Sequence, residues 1–231
     1  MEGKITLLPT LDGSLTYFNL DIQQSYHSMN GALQEAHHVF LENGLLNFQQ
    51  LYHAKEINIL EIGFGSGLNF LVSADYCEAN NIYLNYTGIE PYPLERTLLI
   101  DSHYNKWVNH QKLWNSYLYA YNDLFKSGTM MNLSSNVNLR LMHQELERFQ
   151  TAEYADIIYF DAFAPGTHPE IWEKQSIVHA LSFLKPQGHF ITYSITGNLK
   201  RILRSIGFTI EKPKGAAGKR EMLRAYKKPV K

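Results

Sequence analysis

A turn carrying three glycines, set between an apolar run and a helix, constrains this chain more than any other feature. Residues Ile57–Ile62 form a short apolar run, the shape of a strand buried in a parallel sheet. They lead into Gly63-Phe64-Gly65-Ser66-Gly67, and Leu68–Asn80 then reads as a helix. Lacking a Cβ, glycine lets the backbone turn tightly and approach a ligand closely. Strand, glycine turn and helix in that order open a sheet of the α/β type.

The alternation continues along the chain. Tyr83–Glu90, Val137–Met142, Asp156–Asp161 and His189–Tyr193 read as strands. Glu145–Phe149, Glu170–Leu184 and Leu199–Ile206 read as helices, the second ended by Lys185-Pro186-Gln187-Gly188 and the third by Gly207. Phe208–Lys212 and Met222–Lys227 read as a final strand pair with a loop but no helix between them, and are therefore antiparallel. The expected fold is α/β and Rossmann-like: a mostly parallel sheet covered on both faces, with a terminal antiparallel hairpin. That pattern is similar to the class I methyltransferases.

Ahead of this core, Ile5–Leu20 reads as two strands turning at Asp12-Gly13. Gly31–Asn43 reads as a helix with Ala32, Ala36, Val39 and Phe40 on one side and Gly44 as its stop. Residues 1–50 are thus expected to be a small hairpin-and-helix addition packed on a catalytic domain at 51–231. The segment Asp101–Gly128 is rich in aromatics: Trp107, Trp114, Tyr117, Tyr119, Tyr121 and Phe125. These are expected to serve core or cap packing rather than a platform for bases.

A chain of 231 residues with 45% hydrophobic content supports one sizeable core. The single cysteine, Cys77, excludes an internal disulfide and suits a reducing compartment. The first residues lack a signal peptide's apolar stretch, and no run approaches the ~18 apolar residues of a membrane span. A soluble, cytoplasmic protein with no membrane partner is expected. His37 and His38 are adjacent, so they cannot share a helix face, and the other histidines are scattered. No metal is expected. The net charge of −1 hides an asymmetry: Ile195–Lys231 holds eleven Lys/Arg against two Asp/Glu, and the first 194 residues hold ten against twenty. Such polarity expects one face to meet an anion.

Four positions at strand ends carry candidate chemistry. The glycines run G-x-G-x-G, shorter than the G-x-G-x-x-G of dinucleotide sites, and Glu61 precedes them on the strand. That spacing favours adenosylmethionine over a nicotinamide dinucleotide. Glu90 closes the next strand, about 20 residues on, where an acid accepts from both ribose hydroxyls. Glu145, after Gln144, lies where an acid accepts from the adenine amino group, and equally where Glu starts a solvent-facing helix. In Tyr159-Phe160-Asp161-Ala162-Phe163-Ala164-Pro165, a strand runs directly into an acid, which is expected beside the cofactor's methyl group.

Taken together, these residues resemble the methyltransferase domain of the MnmC tRNA-modification family, whose stand-alone members are called MnmD. The resemblance rests on Glu61–Leu71, on Asp161–Pro165 with Pro169 and Trp172, and on Lys214-Gly215 with Gly218–Leu223. A weaker match is Asn30-Gly31-Ala32 with Glu35 and Val39-Phe40-Leu41. The resemblance implies methylation of the primary amine of 5-aminomethyl-(2-thio)uridine at the tRNA wobble position. It implies that Glu61, Gly63, Phe64, Gly65, Gly67 and Asn69 form the adenosylmethionine site, with Glu90 on the ribose and Asp161 as the active-site acid. The departures are Glu145 where Asp is frequent, Gln144 for Gly, Ser66 for Thr, and Gly166-Thr167-His168 where a Lys is often found. No flavin oxidoreductase domain follows Lys231, so no flavin is expected, and separate enzymes are expected to make the aminomethyl group.

Asp161 is expected to position the amine with help from the carbonyls of Ala162 and Phe163, general base being the weaker option. Phe163 either stacks on the uracil or belongs to the core. Lys200, Arg201, Lys214, Lys219 and Arg220 are expected to meet the tRNA anticodon region. The rival classes are a methyltransferase of a small molecule or protein, and a non-catalytic RNA-binding relative.

Overall fold

The computed structural model describes residues 4–216 and 218–227. Two strands, β1 (Ile5–Pro9) and β2 (Leu15–Asn19), pair antiparallel around Asp12-Gly13 as expected. Asp12 fixes the turn by accepting from the Thr10 and Ser14 hydroxyls. A short β3 (Gln24–Ser25) extends this sheet.

The helix that follows does not stop at Gly44. It runs as α1 (Ala32–Glu35), a π-helical stretch (Ala36–Leu46) and α2 (Asn47–Tyr52), and ends where His53 takes a left-handed conformation. Gly44 is required for packing instead. A Cβ there would lie 2.9 Å from Cε1 of Tyr159. The Tyr159 hydroxyl donates to the Phe40 carbonyl at 2.7 Å, and the Asn43 amide donates to the His38 carbonyl at 2.7 Å. Both bonds satisfy carbonyls inside the widened stretch.

The main sheet begins with β4 (Glu56–Ile62), α3 (Leu68–Ala79) and β5 (Tyr83–Ile89). The aromatic-rich segment supplies α4 (Arg96–Asp101), a 3₁₀ turn (Tyr104–Trp107) and α5 (Gln111–Ser127). Trp114, Tyr117 and Tyr121 are buried there, the packing role expected of them, while Tyr119 faces solvent. Next come β6 (Met131–Asn132), β7 (Val137–Met142) and β8 (Ala155–Phe160). Beyond them lie α6 (Lys174–Leu181), β9 (Leu184–Thr192), α7 (Gly197–Ser205), β10 (Thr209–Glu211) and β11 (Leu223–Tyr226). Lys185–Gly188 does not merely end a helix: it belongs to β9, which bulges against β8.

The sheet order is β10-β11-β9-β8-β4-β5-β7-β6. Strands β4, β5, β7, β8 and β9 are parallel, β11 runs against β9 and β10, and β6 is a short antiparallel edge. Alternate strand residues feed two cores. Ile57, Ile59, Ile157 and Tyr159 face the π-helical stretch, α3 and α5. Leu60, Ile62, Ile158 and Phe160 face α6 and α7.

Coverage of the two faces is not complete. Only a 3₁₀ turn (Leu146–Arg148) and loops join β7 to β8, so the amino-terminal half of one face is half-exposed. Its polar side chains satisfy one another across strands. The Asn132 amide donates to Asn138, Asn138 to Asn85, Asn85 to Asn58, and Asn58 to Asp156, which also pairs with Lys185. No helix among the described residues is long and apolar enough to cross a membrane.

Gly44→Leu is expected to destabilise the protein by about 1–3 kcal/mol through overpacking against Tyr159. A lowered denaturant midpoint measures this, and an unchanged midpoint shows that Gly44 is dispensable for packing.

Candidate active site

Chain order reverses at β4, which has β8 on one side and β5 on the other. Ligands of open α/β sheets bind outside the carboxyl ends of strands at such a point. A cavity of about 470 Å³ lies there. Its wall includes Gly63, Phe64, Gly65, Ser66, Glu90, Glu145, Asp161 and Phe163. Sequence reasoning missed Tyr26, His27, Tyr92, Glu147, His168 and Glu170, which also line it.

The glycine turn holds its shape through direct contacts. Gly63, Gly65 and Gly67 all have positive φ. A Cβ on Gly63 would lie 2.7 Å from the Asp161 carbonyl, so this glycine lets β4 and β8 end side by side. A Cβ on Gly65 would come within 3.1 Å of the Tyr26 ring. Phe64 inserts beneath the turn against Phe70, Tyr86, Tyr117 and Phe125, and Gly88 leaves the space for its ring.

Glu90 braces the turn. Its carboxylate accepts from the Gly65 N–H at 2.8 Å and from the Tyr92 N–H at 2.9 Å. Burial pushes its pKa up to about 7, against these two bonds. Glu145 is exposed at the rim, and its own carbonyl caps the 3₁₀ turn by accepting from Arg148.

Glu61, Gly67 and Asn69 do not line the cavity; Asn69 links Glu61 to the lining residue Asp161, and Gly67 caps α3. Glu61 is fully buried, and burial pushes its pKa up to about 8. It accepts from Asn69 at 2.8 Å and from the Tyr86 hydroxyl at 2.8 Å. The same Asn69 amide nitrogen donates to Asp161 at 2.7 Å. Burial, with Glu35 and Glu61 nearby, holds Asp161 well above the usual carboxylate range, although Asn69 and Lys219 pull the other way.

The carbonyls expected to assist Asp161 are already engaged. The Tyr193 hydroxyl donates to Ala162 at 2.9 Å, and the Trp172 indole donates to Phe163 at 2.8 Å. Those bonds shape the loop, and Asp161 lines the cavity beside it. The Phe163 ring stacks on His168 at 5.7 Å between centroids and meets the edge of Tyr26 at 5.2 Å. His27, buried in the same wall, has its pKa lowered to about 4 by burial and is neutral.

None of the cations expected to meet tRNA lines the cavity. Lys200 and Arg201 lie on α7, the latter exposed. Lys214 and Arg220 are exposed on the β10–β11 loop, where the Lys214 carbonyl bonds to His38. Lys219, on that loop, is paired with Glu35 at 2.6 Å. Lys228 and Lys231 lie outside the described residues.

An open sheet with a glycine turn and acids at its switch point defines a class I methyltransferase. Residues 108–228 match the model of a family described as S-adenosyl-L-methionine-dependent methyltransferase, and the chain belongs to that family. It is 32% identical over 205 residues to the bifunctional protein MnmC of Marinomonas sp., covering 85% of this chain and 30% of that one. It is 30% identical over 224 residues to MnmC of Leptospira interrogans, covering 93% and 34%. Both relatives carry the name tRNA 5-methylaminomethyl-2-thiouridine biosynthesis bifunctional protein, and the chain spans about a third of their length. The fold matches MNMC2 from Aquifex aeolicus with a TM-score of 0.75 at 20% identity, covering 99% of this chain and 72% of that one.

The residues fit adenosylmethionine, the family's cofactor. The buried Ser66 hydroxyl borders the cavity without a hydrogen-bond partner among the described residues. The lining carries five carboxylates, Glu90, Glu145, Glu147, Asp161 and Glu170, and no Lys or Arg, which suits a cation.

Glu90 generates a pH prediction. With its pKa at about 7, the ionised acceptor is lost as pH falls through that value. Adenosylmethionine affinity is therefore expected to fall several-fold between about pH 8 and about pH 6. Glu90→Gln should weaken binding about 10-fold and flatten the profile. Calorimetry checks both, and an unchanged profile removes Glu90 from the site.

Proposed function

We propose that this protein methylates the primary amine of 5-aminomethyl-(2-thio)uridine at the tRNA wobble position, giving the 5-methylaminomethyl base. One contrast carries the reading: an acid-lined cavity ends at Asp161, while cations gather on the surface outside. The relatives' names and the match to a methyltransferase family support it.

When bound, adenosylmethionine supplies a methyl group on a positively charged sulfur. The carbon–sulfur bond breaks, a carbon–nitrogen bond forms, and one proton leaves the nitrogen. An ammonium has no lone pair, so that proton must go before attack. The carboxylate lining draws the cation in. At Asp161, burial and the neighbouring Glu35 and Glu61 raise proton affinity. A neutral acid beside a neutral amine is then favoured over a buried ion pair. Asp161 thus both positions the amine and receives its proton, which gives general base more weight than residue type alone. Phe163, stacked on His168 and edged by Tyr26, offers a flat apolar wall for the uracil.

Lys200, Arg201, Lys214 and Arg220 form no ion pair among the described residues, whereas Lys212, Lys219 and Arg224 do. The first group is assigned to tRNA phosphates.

Purified protein is expected to transfer one methyl to tRNA bearing aminomethyluridine, read by nucleoside mass spectrometry. Asp161→Asn should reduce the rate at least ~100-fold with cofactor binding largely kept. Arg220→Ala should weaken tRNA binding and lower its salt slope by roughly one unit. Methylation of small amines with none on tRNA overturns the assignment.

A further inference from the structure

Lys219 and Glu35 lie 184 positions apart in the chain and meet at 2.6 Å. Glu35 ends α1, and Lys219 sits on the β10–β11 loop. Neither is idle at a surface. Glu35 is 5% exposed, and its second oxygen accepts from the Ser28 N–H at 2.8 Å. The Lys219 ammonium lies 4.2 Å from the Tyr193 ring centroid. The Tyr193 hydroxyl in turn donates to Ala162, the residue after Asp161. The Asn69 bridge to Glu61 thus holds the Asp161 side chain, and a strut of Glu35, Lys219 and Tyr193 reaches the backbone of the next residue.

We propose that Lys219, locked by Glu35 and Tyr193, is the internal counter-ion and positioning residue of Asp161, and does not serve as a phosphate contact. The role rests on the methyl-transfer reading above and deepens it. Several charged or titratable groups interact electrostatically with Asp161: Glu61 on β4, Tyr86 on β5, Glu35 on α1, Lys219 on the last loop and Tyr193 beyond β9. Lys219 is the cation in this set, so its removal and the removal of Glu35 must act on Asp161 with opposite sign. A merely structural strut has no such sign.

The test uses Lys219→Met, Lys219→Arg and Glu35→Gln in the full chain. The first readout is the titration of the Asp161 carboxyl by carbon-13 NMR without cofactor or tRNA. Lys219→Met is expected to raise its midpoint by about one pH unit, because the carboxylate loses its counter-ion. Glu35→Gln is expected to lower it by about one unit, because a repelling charge is gone. Lys219→Arg should restore the native midpoint. The second readout is the acid limb of kcat for methyl transfer, which should move in the same two directions. The third is tRNA affinity against salt, which should keep its native slope in Lys219→Met.

Shifts of the same sign in the two variants, or none, overturn the proposal. A reduced salt slope in Lys219→Met also overturns it and returns Lys219 to the phosphate surface. Glu35→Gln is near-isosteric and keeps an oxygen for Ser28, so the required downward shift is measurable even where Lys219→Met does not fold. The NMR arm needs no substrate. Opposite shifts there, with no methyl transfer to tRNA, would leave the strut standing and remove only the tRNA assignment.

Discussion

One side-chain amide holds this site together. Asn69 donates both of its hydrogens, one to Glu61 and one to Asp161, and so joins β4, α3 and the end of β8. Without it two carboxylates would share a buried volume and repel. Glu61 passes the connection on to β5 through Tyr86. The placement of Asp161 follows from this chain of bonds, because it cannot turn away without leaving a hydrogen of the buried Asn69 amide unsatisfied. The same burial that makes the amide necessary lifts the proton affinity of both acids. Structure and chemistry therefore have one cause.

Charge is arranged by depth. Acids occupy the cavity, and cations stand outside it on α7 and the β10–β11 loop. For a nucleic acid carrying a protonated amine the two zones act on different parts of the ligand. On the proposed function, outer cations would attract the backbone, while inner carboxylates would repel phosphate and favour the cationic group. Uniform basic charge would bind RNA more tightly and select less.

Much of this was legible in the sequence because it depends on local pattern. The buried strands are short apolar runs, the glycine turn lies where a strand meets a helix, and Asp161 ends a strand in the centre of the sheet. The rest depends on partners distant in sequence. Gly44 looks like a helix stop until Tyr159 is seen to occupy the space its Cβ would take. The missing helix after β7 shows only once Asn58, Asn85 and Asn138 are found side by side across three strands. Lys219 looks like one more cation in a basic segment, because nothing local names Glu35 as its partner.

The site is also closed by the two ends of the chain. Tyr26, His27 and Glu35 come from the amino-terminal addition, and Lys219 from the last loop, while the cofactor turn lies between them in sequence. Contacts of such long separation carry the greatest loop-closure entropy and form late in folding. The parallel sheet and its glycine turn are therefore expected to exist before the wall and the counter-ion arrive. A carboxyl whose proton affinity depends on that wall acquires its working value only in the finished molecule. On the proposed function, proton transfer at Asp161 is thereby tied to the completed wall around it.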